Sequence, residues 1–222
     1  MDRIYLDIIV AIANLSTLLP VVILGLNLNH QPYNLRWLMI LLSFSLLETL
    51  ISLVLYTNGI NPNYALSVFE FFSLSIYSCF FYYTLKWRRL KNALLAVNII
   101  CCLFAIVNFL FIQEKFVNGY NRTLQSLIII LFSLIFFYKL LKELPSQQLQ
   151  KLPVFWIVSG IFFSHAGQLS ISATTNYLIQ VANDNMIVGW MIHYSLTIIA
   201  NILIAYGVWV NYKQLKNSSV SQ

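Results

Sequence analysis

The stretch Thr123–Leu141 reads TLQSLIIILFSLIFFYKLL. It holds one charge, at Lys139, and its apolar residues run on without alternating. A transmembrane β-strand alternates lipid-facing and lumen-facing residues over about ten positions. A bilayer core needs roughly 20 apolar residues in one helix. The segment therefore reads as a membrane-spanning helix.

Six further stretches read the same way: Ile4–Leu28, Leu35–Tyr56, Tyr64–Leu85, Ala93–Ile112, Pro153–Ala173 and Met186–Tyr212. Together the seven fill most of the 222 residues, of which 59% are hydrophobic and 9% charged. A soluble domain carries about a quarter charged residues. The expectation is an all-α, integral membrane bundle of seven transmembrane helices. It forms one domain, 1–212, followed by a short cytoplasmic tail, 213–222. The breaks between spans carry turn chemistry: Asn29-His30-Gln31-Pro32, the run Asn58 to Asn63, and Asn118-Gly119-Tyr120-Asn121. Pro153 suits the first turn of a helix, and Pro20 predicts a kink inside the first span. The opening Met-Asp-Arg and the long apolar run behind it read as a span rather than a cleavable signal.

Lysine and arginine set the orientation. With the N-terminus outside and the C-terminus cytoplasmic, ten of the thirteen cations lie inside. The outside holds Arg3, Lys115 and Arg122. The expected location is the cell inner (plasma) membrane. The net charge of +6 then reflects topology, and no nucleic-acid partner is expected. Cys79, Cys101 and Cys102 fall within spans and read as buried apolar residues. Trp37, Trp87, Trp156, Trp209 and Tyr212 sit near span ends, as an interfacial aromatic belt does.

Four ionisable residues lie well inside spans: Glu48, Glu70, His165 and His193. A charge at mid-bilayer costs at least about 2.5 kcal/mol, so these side chains should face other helices or water. At the helical rise, all four fall between the middle of the membrane and its outer surface. Polar neighbours share their faces: Ser45 and Ser52 with Glu48, Ser67, Ser73 and Tyr77 with Glu70, Gln168 and Ser172 with His165, and Thr197 and Asn201 with His193. The expectation is one outward-facing polar pocket built by Glu48, Glu70, His165, Gln168, His193 and Asn201, for ligand binding or proton relay. The plainer reading is that Ser, Thr and Asn join membrane helices by hydrogen bonds. No HExxH, Cys/His cluster, Walker loop or GxSxG is present, so no metal is expected, and neither cofactor nor catalytic residues can be named.

Seven spans with an outside N-terminus resemble microbial rhodopsins, which hold retinal on a lysine of the seventh helix. Met186–Tyr212 contains no lysine, so no retinal Schiff base is expected. Asn61-Pro62-Asn63-Tyr64 followed by Phe69-Glu70-Phe71-Phe72 resembles membrane carotenoid cyclases, whose Pro-x-Glu-Glu element this chain lacks. A resemblance over most of the chain is to small seven-helix bacterial inner-membrane proteins of undefined chemistry. It rests on Tyr64 through Phe72, the basic loop Lys86–Lys91, and Leu152-Pro153-Val154-Phe155-Trp156. It implies class and no mechanism.

Three functions fit these residues. The first is a sensor or accessory subunit that binds a small or lipid-like ligand and signals through a membrane or cytoplasmic partner. The second is a proton-coupled transporter or channel using Glu48. The third is a membrane-embedded enzyme acting on a lipid or isoprenoid substrate. The basic inner loops would attract anionic lipid heads in any of the three.

Overall fold

The computed structural model describes residues 2–26, 31–60, 63–85, 87–107, 119–143, 149–181 and 186–220. Leu28 and Ile112, expected as span ends, lie outside them. So do the turn residues Asn29, His30, Asn61, Pro62 and Asn118, the charges Lys86, Glu114, Lys115 and Asp184, and Asn108.

The described residues are almost all helical, with no strand among them. Eight α-helices follow in order: α1 Asp2–Ser16, α2 Leu18–Gly25, α3 Tyr33–Thr57, α4 Asn63–Thr84, α5 Arg88–Val107, α6 Gly119–Glu143, α7 Pro153–Val181 and α8 Met186–Val220. A short 3-10 turn, Leu149–Lys151, precedes α7. Five helical segments are long and apolar enough to cross a membrane: Ile4–Gly25, Tyr33–Thr57, Tyr120–Glu143, Pro153–Ser172 and Ile187–Asn217.

The first of these is broken. Pro20 has no N–H for the carbonyl of Ser16, and its ring crowds that carbonyl. The helix is interrupted at Thr17, and α1 and α2 result. The hydroxyls of Ser16 and Thr17 both turn back to donate to the carbonyl of Ala13, at 2.6 and 3.4 Å. At the other end of the chain, α8 continues to Val220. Residues 213–220, expected as a tail beyond the last span, extend the helix.

Six neighbours form a closed circuit: α2 on α3, α3 on α4, α4 on α6, α6 on α7, α7 on α8, and α8 back on α2, with α1 also against α8. Helix α5 packs only on α4 and α6 among the main pairings. The α7–α8 seam is the most extensive. There Gly160 lies so near α8 that a Cβ would stand 2.6 Å from the carbonyl of Ala200 and from Ile204. Gly207 meets the Pro153 carbonyl and Ile157 in the same way, at 2.7 and 2.8 Å. Small residues are what membrane helices use for close approach, because lipid supplies no hydrophobic drive between them.

The circuit has two unlike halves. One end is a dry core. Leu24 of α2, Leu35, Leu38 and Leu42 of α3, Phe80 and Phe81 of α4, Ile129 and Phe132 of α6, Ile157 and Ile161 of α7, and Ile204 and Val208 of α8 form one cluster. These positions are the chain-start of α3 and α7, the chain-end of α2 and α4, and the middle of α6 and α8. Trp37, Trp87, Trp156 and Trp209 lie toward the same end. Lys213 sits 3.7 Å over the ring of Trp209. Lys139 is buried beneath Trp87 and 3.9 Å from the Glu143 carboxylate, which also accepts from Trp87 Nε1. The opposite end of the circuit holds the polar residues.

Candidate functional site

Helices α4 and α6 run in the same direction along a polar seam. Arg122 donates from Nε to Oε1 of Glu70. Three residues further on each helix, Gln125 Nε2 donates to Ser73 Oγ at 2.7 Å. The spacing of three brings both pairs to one shared face. The Ser73 hydroxyl in turn donates to the Glu70 carbonyl at 2.9 Å. The Glu70 side chain is 11% exposed and that of Arg122 27%. Arg122 is therefore no loop residue. The helix begins at Gly119, before the expected start at Thr123, and takes Arg122 into its first turn.

Glu48 approaches this pair from α3. The inward face of α3 runs Leu38, Leu41 and Leu42, then Ser45, Glu48 and Ser52. The three leucines are buried. Ser45 is exposed, and Glu48 and Ser52 are half-buried. The packing thus opens along one face just where its chemistry turns polar. Glu48 lies within electrostatic reach of both Arg122 and Glu70. Its carboxylate accepts no hydrogen bond from a described residue.

The imidazoles come from the α7–α8 side. His165 is 8% exposed and packs edge-on against Tyr77 of α4, ring centroids 4.8 Å apart. Neither of its ring nitrogens has a hydrogen-bond partner among the described residues. His193 stands beside Gly167, whose Cβ would lie 3.6 Å from its Nδ1. It feels both His165 and Arg122. Trp190 and Tyr194 flank His193, at 6.0 and 5.1 Å between ring centroids. Tyr194 lies within reach of Arg122 and Glu48, and Tyr77 within reach of Glu48. Groups on α3, α4, α6, α7 and α8 thus interact across the middle of the circuit.

Comparison with protein-family models, with curated proteins and with solved structures finds no match for this chain. The chemistry of the cluster has to be read from its own groups.

Glu70 is bonded to Arg122, Glu48 and His193 each interact electrostatically with Arg122, and His165 does so with His193. Asn201 is not among them. It lies eight residues beyond His193, about 12 Å along α8, and its amide is spent on the broken first span. Nδ2 donates to Ser16 Oγ at 2.8 Å, to Thr17 Oγ1 at 3.0 Å and to the Ala13 carbonyl at 3.4 Å. This is the helix-joining role of polar residues in membranes. Gln168 is half-buried near His165 on α7, and its carbonyl accepts from Ser172 at 2.7 Å. Thr197 likewise donates to the His193 carbonyl at 3.0 Å.

The site contains two groups that sequence reasoning missed, Arg122 and Tyr194. A signal for Arg122 existed. It stands three residues before Gln125, as Glu70 stands three before Ser73, so the two pairs match in register. The turn-forming residues Asn118, Gly119 and Asn121 masked it.

Chemically the cluster offers two carboxylates, one guanidinium, two imidazoles and two phenols. Among the described residues no three His, Cys, Asp or Glu stand close enough to hold a metal ion. The set suits polar recognition and proton exchange.

Proposed function

We propose that this protein is a seven-span inner-membrane protein that binds a small or lipid-like ligand in the polar half of its bundle, as a sensor or accessory subunit. Helices α4 and α5 supply the third and fourth spans. At 22 and 20 residues they measure about 33 and 30 Å, the thickness of a bilayer core. The antiparallel α3–α4 and α7–α8 pairs and the parallel α4–α6 pair fit an alternating path. The cation bias places the N-terminus outside, and so puts the dry core toward the cytoplasm and the polar cluster toward the exterior.

The observation that carries the reading is the contrast between those halves. Leu, Ile and Phe make up the buried apolar cluster of the inner half. The outer half gathers costly side chains, one of them a buried imidazole with both nitrogens unpartnered. Such an arrangement favours a site open to one face over a pore. A proton-coupled transporter working through Glu48 is the second reading, favoured by its nearness to Arg122 and Glu70. An enzyme on a lipid or isoprenoid substrate has less support, since among the described residues no acid and imidazole are hydrogen-bonded as a pair.

The test is native mass spectrometry of the full chain released from mild detergent. A retained small molecule is expected with the wild type, and its loss with Glu48→Gln and His165→Phe. Identical spectra from all three proteins, with nothing bound, would refute the binding site. Cysteine labelling fixes the topology: Tyr56→Cys should react in intact cells, and Lys213→Cys only after the membrane is opened.

A further inference from the structure

We infer that the face where the chain-start of α3, the chain-end of α4 and the chain-start of α5 come together binds the phosphate headgroup of an anionic membrane lipid, with Arg36 and Lys91 as its cationic contacts. The inference rests on the membrane-spanning character of the chain and not on the polar pocket.

The sequence sets the sign. Residues 71–113 hold Lys86, Arg88, Arg89 and Lys91 with no Asp or Glu, and residues 8–47 hold Arg36 with none. Among the described acids, Glu143 is the one toward this end, and it is taken up by Lys139 and Trp87. The excess of positive charge calls for an anionic partner.

Aromatic rings fix the two cations in one continuous row. The Arg36 guanidinium lies 5.3 Å from the Tyr33 ring centre. Tyr33 stacks on Tyr83 at 5.6 Å and 23°, and Tyr83 meets Tyr82 at 5.4 Å. The Lys91 ammonium closes the row, 4.5 Å from the Tyr82 ring centre. Nε of Arg36 also donates to the Gln31 carbonyl at 3.1 Å. Gln31 is buried, and its side chain accepts from Asn211 of α8 at 2.8 Å. The guanidinium is thus held in place before any ligand arrives, which lowers the ordering cost of binding. Tyr33 and Tyr83 are exposed on the flank of the bundle, and tyrosine at a helix end lies at headgroup depth.

What lies beneath the cations argues for a lipid over a soluble anion. One turn along α3 from Arg36 stands Ile40, and one turn along α5 from Lys91 stands Leu95, followed by Ile99. A spacing of four keeps each on the face of its cation. All three are exposed. Two helices thus each present a cation and then an apolar stripe, the order of a phosphate head and its acyl chains. Basic sites between membrane helices suit such heads.

The test is native mass spectrometry of the full chain released from mild detergent that carries equal amounts of phosphatidylglycerol and phosphatidylcholine with the same acyl chains. Bound phosphatidylglycerol should predominate in the wild type. That preference should fall at least about tenfold in Arg36→Gln/Lys91→Gln, since two cations at the lipid surface are lost. Lys213→Gln/Lys216→Gln removes as much charge from the end of α8 and should leave the preference unchanged. Gel filtration confirms that each variant is folded. If Arg36→Gln/Lys91→Gln does not fold, Lys91→Gln alone is read, with a loss of at least about threefold expected.

Equal binding of the two lipids by the wild type, or an undiminished preference in the Gln variants of Arg36 and Lys91, overturns the inference. So does an equal loss in Lys213→Gln/Lys216→Gln, which would mean a response to net charge alone. Glycerol phosphate and polyglutamate are added as competitors and should leave the lipid bound. Displacement by the first would make the face a site for a free phosphate, and displacement by the second a site for an acidic protein; either result refutes the lipid.

Discussion

Arg122 of α6 and Glu70 of α4 meet across 52 residues of sequence, in the same polar seam where Gln125 meets Ser73. The pair explains how an acid is tolerated there. A carboxylate away from water is costly unless it is paired and hydrogen-bonded.

Removing one partner should cost more than removing both. Arg122→Gln removes the guanidinium that pairs with Glu70 and should destabilise the bundle by about 3 kcal/mol. That is the low end for a broken buried pair, because Arg122 keeps some exposure. Glu70→Gln/Arg122→Gln should be more stable than Arg122→Gln alone. Unfolding in mixed micelles measures both. Equal stabilities would mean that the pair contributes nothing.

Asn201 should matter for stability and not for ligand binding. Asn201→Ala removes an amide shared by three acceptors at the α1–α2 joint. A loss of about 1 kcal/mol is expected, within the range for hydrogen bonds between membrane helices. The same unfolding assay reads it. Loss of ligand retention with unchanged stability would place Asn201 in the site after all.

The glycines separate by position. Gly160→Ala and Gly207→Ala each force a methyl to within 2.6 or 2.7 Å of a backbone carbonyl. Overpacking of this kind costs about 1–3 kcal/mol. Gly25→Ala meets nothing within 4 Å and should be neutral. Thermal midpoints of the three variants, taken side by side, decide the matter.

At the chain-end of α6, Glu143→Gln should weaken the hold on Lys139, which is buried between that carboxylate and Trp87. The Glu143 side chain is 51% exposed, so screening limits the loss to about 0.5 kcal/mol. Lys139→Met, which keeps the long apolar stem, should be as stable as the wild type. Strong destabilisation by Lys139→Met would show that the ammonium itself is needed.

Apolar runs of this length leave the backbone no choice but helix, and so the helices were legible in the sequence. Pro153 and Met186 open α7 and α8 where the reading expected. The Pro20 kink is present, though as a break three residues earlier, at Thr17, since the missing N–H is felt at the Ser16 carbonyl. Depth and shared faces singled out Glu48, Glu70, His165 and His193, and of these Glu70 bonds to Arg122 and His165 packs on Tyr77. Periodicity could not reveal partners. It shows which face of a helix is polar, not which helix that face meets. Asn201 shares the stripe of His193 and yet serves α1 and α2, because α8 touches different neighbours along its length. Arg122 was hidden because turn residues precede it, and a long-range ion pair outweighs their poor helix propensity.

The joint at Thr17 has a mechanical consequence. An unbroken rod must sacrifice backbone hydrogen bonds to bend, whereas Pro20 has already removed one at this point. The segment before Thr17 therefore bends with one fewer backbone hydrogen bond to break, and the amide of Asn201 ties that joint to α8. The stiffness of the first span is thus set at one point, and the side chain that sets it belongs to the last helix of the bundle.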